Sequence, residues 1–192
     1  MRELGSFEEA HGRALAGAQR LVAGVQRVVA EPVDSVADGI ALLASLRKLA
    51  HDQLMMLQRE QMIIGAAQWL VRNGMADADT RWQWSPRPGG DAQLDLIGRQ
   101  GDSIVACAQV AAAEEPGGMV DAQMRRALAR LAASEGRRHY FVRTAAMKRR
   151  AATRVAKEGW DIAVVQLAAP LTTMAGERAA LLSSTSLTGR GD

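Results

Sequence analysis

Two groups of residues in this chain have types and spacing suited to chemistry. The first centres on Asp95, the acid inside the apolar run LDLIG. A polar turn at Arg99 to Asp102 comes next, then a second apolar run, SIVACAQV, that contains Gln109. Phosphodiester hydrolysis assisted by a divalent ion asks for several hard, anionic oxygens around one point. Asp95 supplies one carboxylate, and the second run offers the neutral amide of Gln109. An aspartate near a hairpin turn also has a purely structural use, as an acceptor for backbone N–H groups. The second group is the segment Arg137 to Lys157, with eight Arg or Lys and no Asp or Glu. Within it, Arg143, Lys148, Arg149, Arg150, Arg154 and Lys157 are the candidates for contact with the phosphates of DNA or RNA. Such contact weakens steeply as salt rises. A solvated helix face, or one that meets an acidic protein, has the same composition.

Other chemistries find little here. His11, His51 and His139 are far apart, and Cys107 is the lone cysteine, so no metal cluster of His and Cys is visible. Cys107 lies between two alanines, which suits a buried, inert thiol. No glycine-rich phosphate loop stands between a strand and a helix. Ser183 to Ser186 has no nucleophile-elbow setting. A single cysteine excludes an intrachain disulfide and suits a reducing compartment. The start, MRELGSFEEAHG, has no apolar signal core, and no apolar run reaches the roughly 20 residues of a membrane span. The expectation is a cytoplasmic protein with no membrane partner. Net charge is +3, and the only lysines are Lys48, Lys148 and Lys157, so the basic charge is mostly Arg. Arg favours planar, bidentate contact with phosphate or carboxylate.

The elements that must position these residues are readable from periodicity. From Phe7 to Ala30, Leu15, Ala18, Val22, Val25 and Val29 recur at helical spacing. Ser6 and Glu9 are placed for a capping box, and Pro32 stops the helix. Asp34 or Ser35 starts a second helix carrying Leu42, Leu46, Leu49, Met56 and Ile63. It ends at Asn73-Gly74, with Gly65 as the expected bend. So long an apolar stripe implies a helical hairpin with the first helix, or a coiled-coil contact between chains. Trp82 and Trp84 alternate as in a short strand, and Pro86 to Gly90 is a turn. Gln93 to Gly98 and Ser103 to Ala111 form a β-hairpin. Asp121 is expected to cap a helix carrying Met124, Leu128 and Leu131. His139 to Val142 is a strand, Thr144 caps a helix, and Asp161 to Leu167 is the last strand. The organisation expected is a helical hairpin or oligomerisation region at 1–61, an α/β core at 62–168 and a flexible tail at 169–192.

The order from Met62 onward, with strands alternating with helices, implies an α/β layer with some parallel pairing. It resembles the core of the restriction-endonuclease-like superfamily, the PD-(D/E)xK nucleases. Asp95 in LDLIGRQGD resembles that family's first metal-binding Asp, and Gln109-Val110-Ala111 stands at the counterpart of its E-x-K. IIGAAQWLVRNG, Ile63 to Gly74, resembles the helix before the hairpin, with Gln68 where many members have Glu. The resemblance implies a mixed sheet flanked by helices and, in active members, Mg²⁺ or Mn²⁺ bound at Asp95. Gln109 resembles the Q-x-K of some active branches, but Ala111 removes the lysine that orients water. The function expected from these residues is that of a nuclease fold without catalysis, serving nucleic-acid binding or assembly, with no cofactor and with a homo-oligomer contact through the N-terminal helices. Two alternatives stay open. One is an active Mg- or Mn-dependent endonuclease whose ligands have moved, with Asp95 joined by Glu114 or Glu115. The other is a homo-oligomeric assembly protein, joined through the first helices, with no nucleic-acid role.

Overall fold

The structure is a computed structural model that describes residues 1–86 and 93–167. The turn after Pro86 and the tail expected at 169–192 lie outside the described residues, the turn but for Pro86 itself. Among the described residues the chain is α/β, with four helices and a six-stranded mixed sheet, and helices fill its N-terminal region.

A short strand, β1 (Arg2–Glu3), leads into α1 (Phe7–Val29). Ser6 caps α1 with both bonds of the capping box: its hydroxyl accepts from the Glu9 N–H at 3.1 Å, and the Glu9 carboxylate accepts from the Ser6 N–H at 2.9 Å. Helix α2 (Val36–Arg72) starts at Ser35, whose hydroxyl accepts from the Asp38 N–H at 3.1 Å. It runs 37 residues as one unbroken helix through Gly65. One glycine costs a helix only about 1 kcal/mol, and a Cβ at Gly65 would meet Leu167 only at an ordinary contact distance of 3.6 Å. The two helices pack against each other as a hairpin, with Leu57 against Gly17 and Leu49 against Gly24.

The strands continue as β2 (Arg81–Trp84), β3 (Leu96–Gln100) and β4 (Ser103–Ala111). Gly101, at φ +58°, makes the turn between β3 and β4. β3 starts three residues later than the sequence pattern suggests and ends two later, since Gln93, Leu94 and Asp95 stand before the strand; the Asp95 N–H still bonds to the Ala108 carbonyl at 3.1 Å. Next come α3 (Gly118–Ala132), β5 (Arg137–Val142), α4 (Ala145–Glu158) and β6 (Ala163–Gln166). Asp121 does not cap α3. The helix begins a turn earlier, at Gly117, and Asp121 faces α4 instead. Thr144 does cap α4, accepting from the Met147 N–H at 3.2 Å.

The sheet order is β1-β2-β3-β4-β5-β6. β1 to β4 pair antiparallel, and β4, β5 and β6 pair parallel. Residue alternation decides which layer each side chain joins. Ala106, Ala108 and Phe141 join Ile63, Ile64, Ala67 and Leu70 of α2 and Ala10 and Ala14 of α1. Cys107, Tyr140 and Val142 join Leu128 and Leu131 of α3 and Met147 and Ala151 of α4. The sheet is therefore covered on both faces.

Candidate functional site

Asp95 immediately precedes β3, at the sheet end where β4 finishes. The site opens as a cleft of about 730 Å³ between α2 and α3. Its floor holds Asp95, Gln109 and Tyr140; Met55, Met56 and Arg59 come from α2, and Met124, Arg126 and Arg130 from α3. Gln109 and Tyr140 are neighbours because β4 and β5 pair in parallel register at those residues.

Asp95 is buried, and both of its carboxylate oxygens are engaged. Oδ2 accepts the Val110 N–H at 2.8 Å. Oδ1 accepts the Nη2 of Arg59, itself buried, in an ion pair. The same guanidinium donates through Nη1 to the Ser85 carbonyl at 2.7 Å. Arg59 thus ties α2 to the residue after β2 and to the residue before β3. Isolated buried charges are too costly to persist, so each of these two groups requires the other. Tyr140 feels the same burial: desolvation raises its phenol, and the Asp95 charge adds to the rise. Its hydroxyl stays protonated at neutral pH.

A divalent ion does not fit this donor set. The carboxylate already carries a cation in Arg59. Gln109 turns its amide away, donating from Nε2 to the Gln93 carbonyl at 3.2 Å. Ala111 lines the cleft without a donor. Glu114 and Glu115, the acids considered as displaced ligands, are not part of the cleft lining; Glu114 is held by Arg143 at 3.0 Å. Among the described residues no cluster of three His, Cys, Asp or Glu could hold a metal. Gln68 also lies elsewhere, its amide 3.0 Å from the His11 ring. The residue of α2 that reaches Asp95 is Arg59, nine positions earlier.

Arg59 escaped the reading of the sequence, although a signal existed. It is the only Lys or Arg between Lys48 and Arg72, a lone cation in a largely apolar stretch of helix. Its partner stands 36 positions away, and periodicity says nothing about that.

The basic residues divide in two. Arg143 pairs with Glu114. Arg150 holds Asp121 bidentately, at 3.0 and 2.5 Å, which lowers the Asp121 carboxyl below its ordinary range. Arg154 meets Glu158 one helical turn on, at 3.4 Å. Lys148, Arg149 and Lys157 are exposed and enter no ion pair among the described residues. Cys107 is buried, and burial pushes its thiol up to about 11, so it is not a thiolate near neutrality. No helix among the described residues is long and apolar enough to cross a membrane. No family model matches the chain, and neither a curated protein nor a solved structure does.

Proposed function

We propose that this chain is a non-catalytic relative of the restriction-endonuclease-like nucleases that binds the phosphate backbone of nucleic acid. One observation carries the non-catalytic part: Arg59 occupies, on Asp95, the place a metal ion would need. A guanidinium balances the carboxylate charge but cannot activate water as a bound cation does. Support for binding comes from the exposed cations of α4, Lys148, Arg149 and Lys157. Arg126 and Arg130 add positive charge on the wall of the cleft.

Titration of the protein with duplex and single-stranded DNA and RNA over a range of salt tests the reading. Three phosphate contacts give a log–log salt slope of about −2 to −3. Reversing Lys148 and Arg149 to Glu flattens that slope by about 2 and lowers affinity on all sequences alike. The wild type takes up no Mn²⁺ at Asp95 by calorimetry. Mn²⁺-dependent cleavage that disappears in Asp95→Asn would establish the active-enzyme alternative instead. No salt-dependent binding to any nucleic acid would leave an assembly role without a nucleic-acid partner.

A further inference from the structure

The distal part of the α1–α2 hairpin is an element without a core. From residue 15 to residue 58 no side chain is buried. Two helices packed only on each other have one seam, and here that seam is lined with small residues such as Gly17 and Gly24. Yet both helices carry large aliphatic side chains beside the seam, open to water. On α1, Leu15 is 60% exposed, Val22 55% and Val29 58%. On α2, Val36 is 83% exposed, Ile40 65%, Leu43 64% and Leu54 47%. Apolar side chains exposed singly are ordinary, whereas this many large ones gathered on one element mark a contact surface.

The two stripes lie on one side of the hairpin. At 100° per residue, Leu15, Val22 and Val29 fall on the flank of α1, 100° on from the less exposed line of Ala14, Leu21 and Val28 and about 150° from Gly17 and Gly24. Val36, Ile40, Leu43 and Leu54 fall on the flank of α2 displaced from its seam in the same rotational sense. In antiparallel helices, equal rotations from the seam point to the same side. The contact between His11, in line with the α1 stripe, and Gln68, close to the line of the α2 stripe, shows that alignment at the base of the hairpin. The sheet-packed residues of α2, Ile63, Ala66, Ala67 and Leu70, lie on roughly the opposite side of that helix. The apolar face therefore points away from the α/β body.

We infer that this face is where a second copy of the chain docks, the two hairpins forming an antiparallel four-helix bundle about a twofold axis near Val22. Size supports a second hairpin as the occupant. From Leu15 to Val29 the face is about 21 Å long, and two helices of about 10 Å diameter make it about 20 Å wide. Another hairpin matches such a face in length and width, about 420 Å² in projection, toward the small end of specific interfaces, which holds weak and transient contacts. Chemistry supports a copy of this chain, because an isologous contact needs a self-complementary patch and this one is mainly aliphatic, with Arg47 as its charge and Gln19 and Gln26 as its other polar residues. Charge sets the direction. The tip holds Glu31, Asp34 and Asp38, with no Lys or Arg between Arg27 and Arg47. A tip-to-tip arrangement gathers three such carboxylates from each copy, whereas the antiparallel one separates them. The α/β bodies then sit at the outside, with the cleft and α4 unobstructed. The dimer does not rest on nucleic-acid binding.

The test uses the full chain. Light scattering at micromolar concentration gives a mass twice that of one chain. Val22→Glu with Leu43→Glu halves that mass and leaves the circular dichroism of the α/β body unchanged, since both residues are exposed. Val22→Cys, with the buried Cys107 left in place, crosslinks to itself on mild oxidation, and Val33→Cys at the tip does not. A monomer at micromolar concentration, a dimer that survives the double substitution, or a tip crosslink without one at Val22 would each overturn the assignment. Loss of the dimer with nucleic-acid binding intact separates it from the binding role of α4.

Discussion

The two halves of α2 are one continuous helix in opposite surroundings. From Arg59 onward it lies on the sheet, with Ile63, Ile64, Ala66, Ala67 and Leu70 fully buried. Before Arg59 it extends past the sheet and buries nothing. The backbone is helical in both halves because the sequence satisfies the same local rules in both, from the cap at Ser35 to the stop at Asn73. Helix formation and burial are thus separate facts. The buried half is fixed by packing and by a charged pair in low dielectric. The exposed half packs Leu49 and Leu57 on α1 and leaves the rest of its apolar residues unused within the chain. Arg59 stands at the junction, where the helix meets the edge of the sheet.

The largest expected effect breaks that junction. Arg59→Met leaves the Asp95 carboxylate buried without its cation and costs about 3–5 kcal/mol in urea unfolding. Arg59→Met with Asp95→Leu recovers most of the loss, because two apolar residues remove both desolvation costs. If the double variant is as unstable as the single one, the charge pair is not what binds α2 to the hairpin.

The next effect sharpens the contrast between body and hairpin. Leu128, fully buried on α3, loses about 2–5 kcal/mol on truncation to Ala. Leu43→Ala changes the stability of the monomer by less than about 0.5 kcal/mol, and its effect falls on association. Equal losses for the two would mean that the distal hairpin has a core of its own.

The smallest effect belongs to His139, on β5 between the sheet and α2. Its ring stacks on Phe141 at 5.9 Å and meets Trp69 at the same distance. Burial holds the imidazole below its ordinary 6.5; a backbone hydrogen bond at Arg137 opposes this, and the Arg137 charge adds to it. The unfolded chain therefore takes up a proton near 6.5 that the folded chain refuses. Stability is complete above that pH and declines as the pH falls below it toward the folded value. Glu60, raised mainly by burial, acts in the opposite sense at more acidic pH, so the comparison belongs between roughly pH 7 and 5.5. His139→Phe flattens the dependence in that window. An unchanged slope would assign the pH response to another group.

Much of the fold was legible because it depends on neighbours in sequence. The capping box at Ser6, the cap at Thr144 and the turn at Gly101 use residues within four positions of each other. The alternation through Ala106, Cys107 and Ala108 predicts a strand in the same way. Asp121 misled because an acid in the first turn of a helix has two uses. It can accept from its own helix or, as here, from Arg150 of another one. β1 was not visible, since two residues hold no periodicity, and only their pairing with Gln83 and Trp84 makes them a strand.

The candidate site shows where local reading stops. Composition already made Asp95 an isolated acid between neutral neighbours, because charge is a property of residue type. What neutralises it was a matter of tertiary structure. The path of α2 across the end of the sheet brings a guanidinium from position 59 to a carboxylate at position 95. The sequence determined the elements, their ends and their apolar faces, since these rest on spacing along one chain segment. The tertiary structure decided which face met the sheet, which stayed open and which charges met, since those depend on distances between segments that no periodicity encodes.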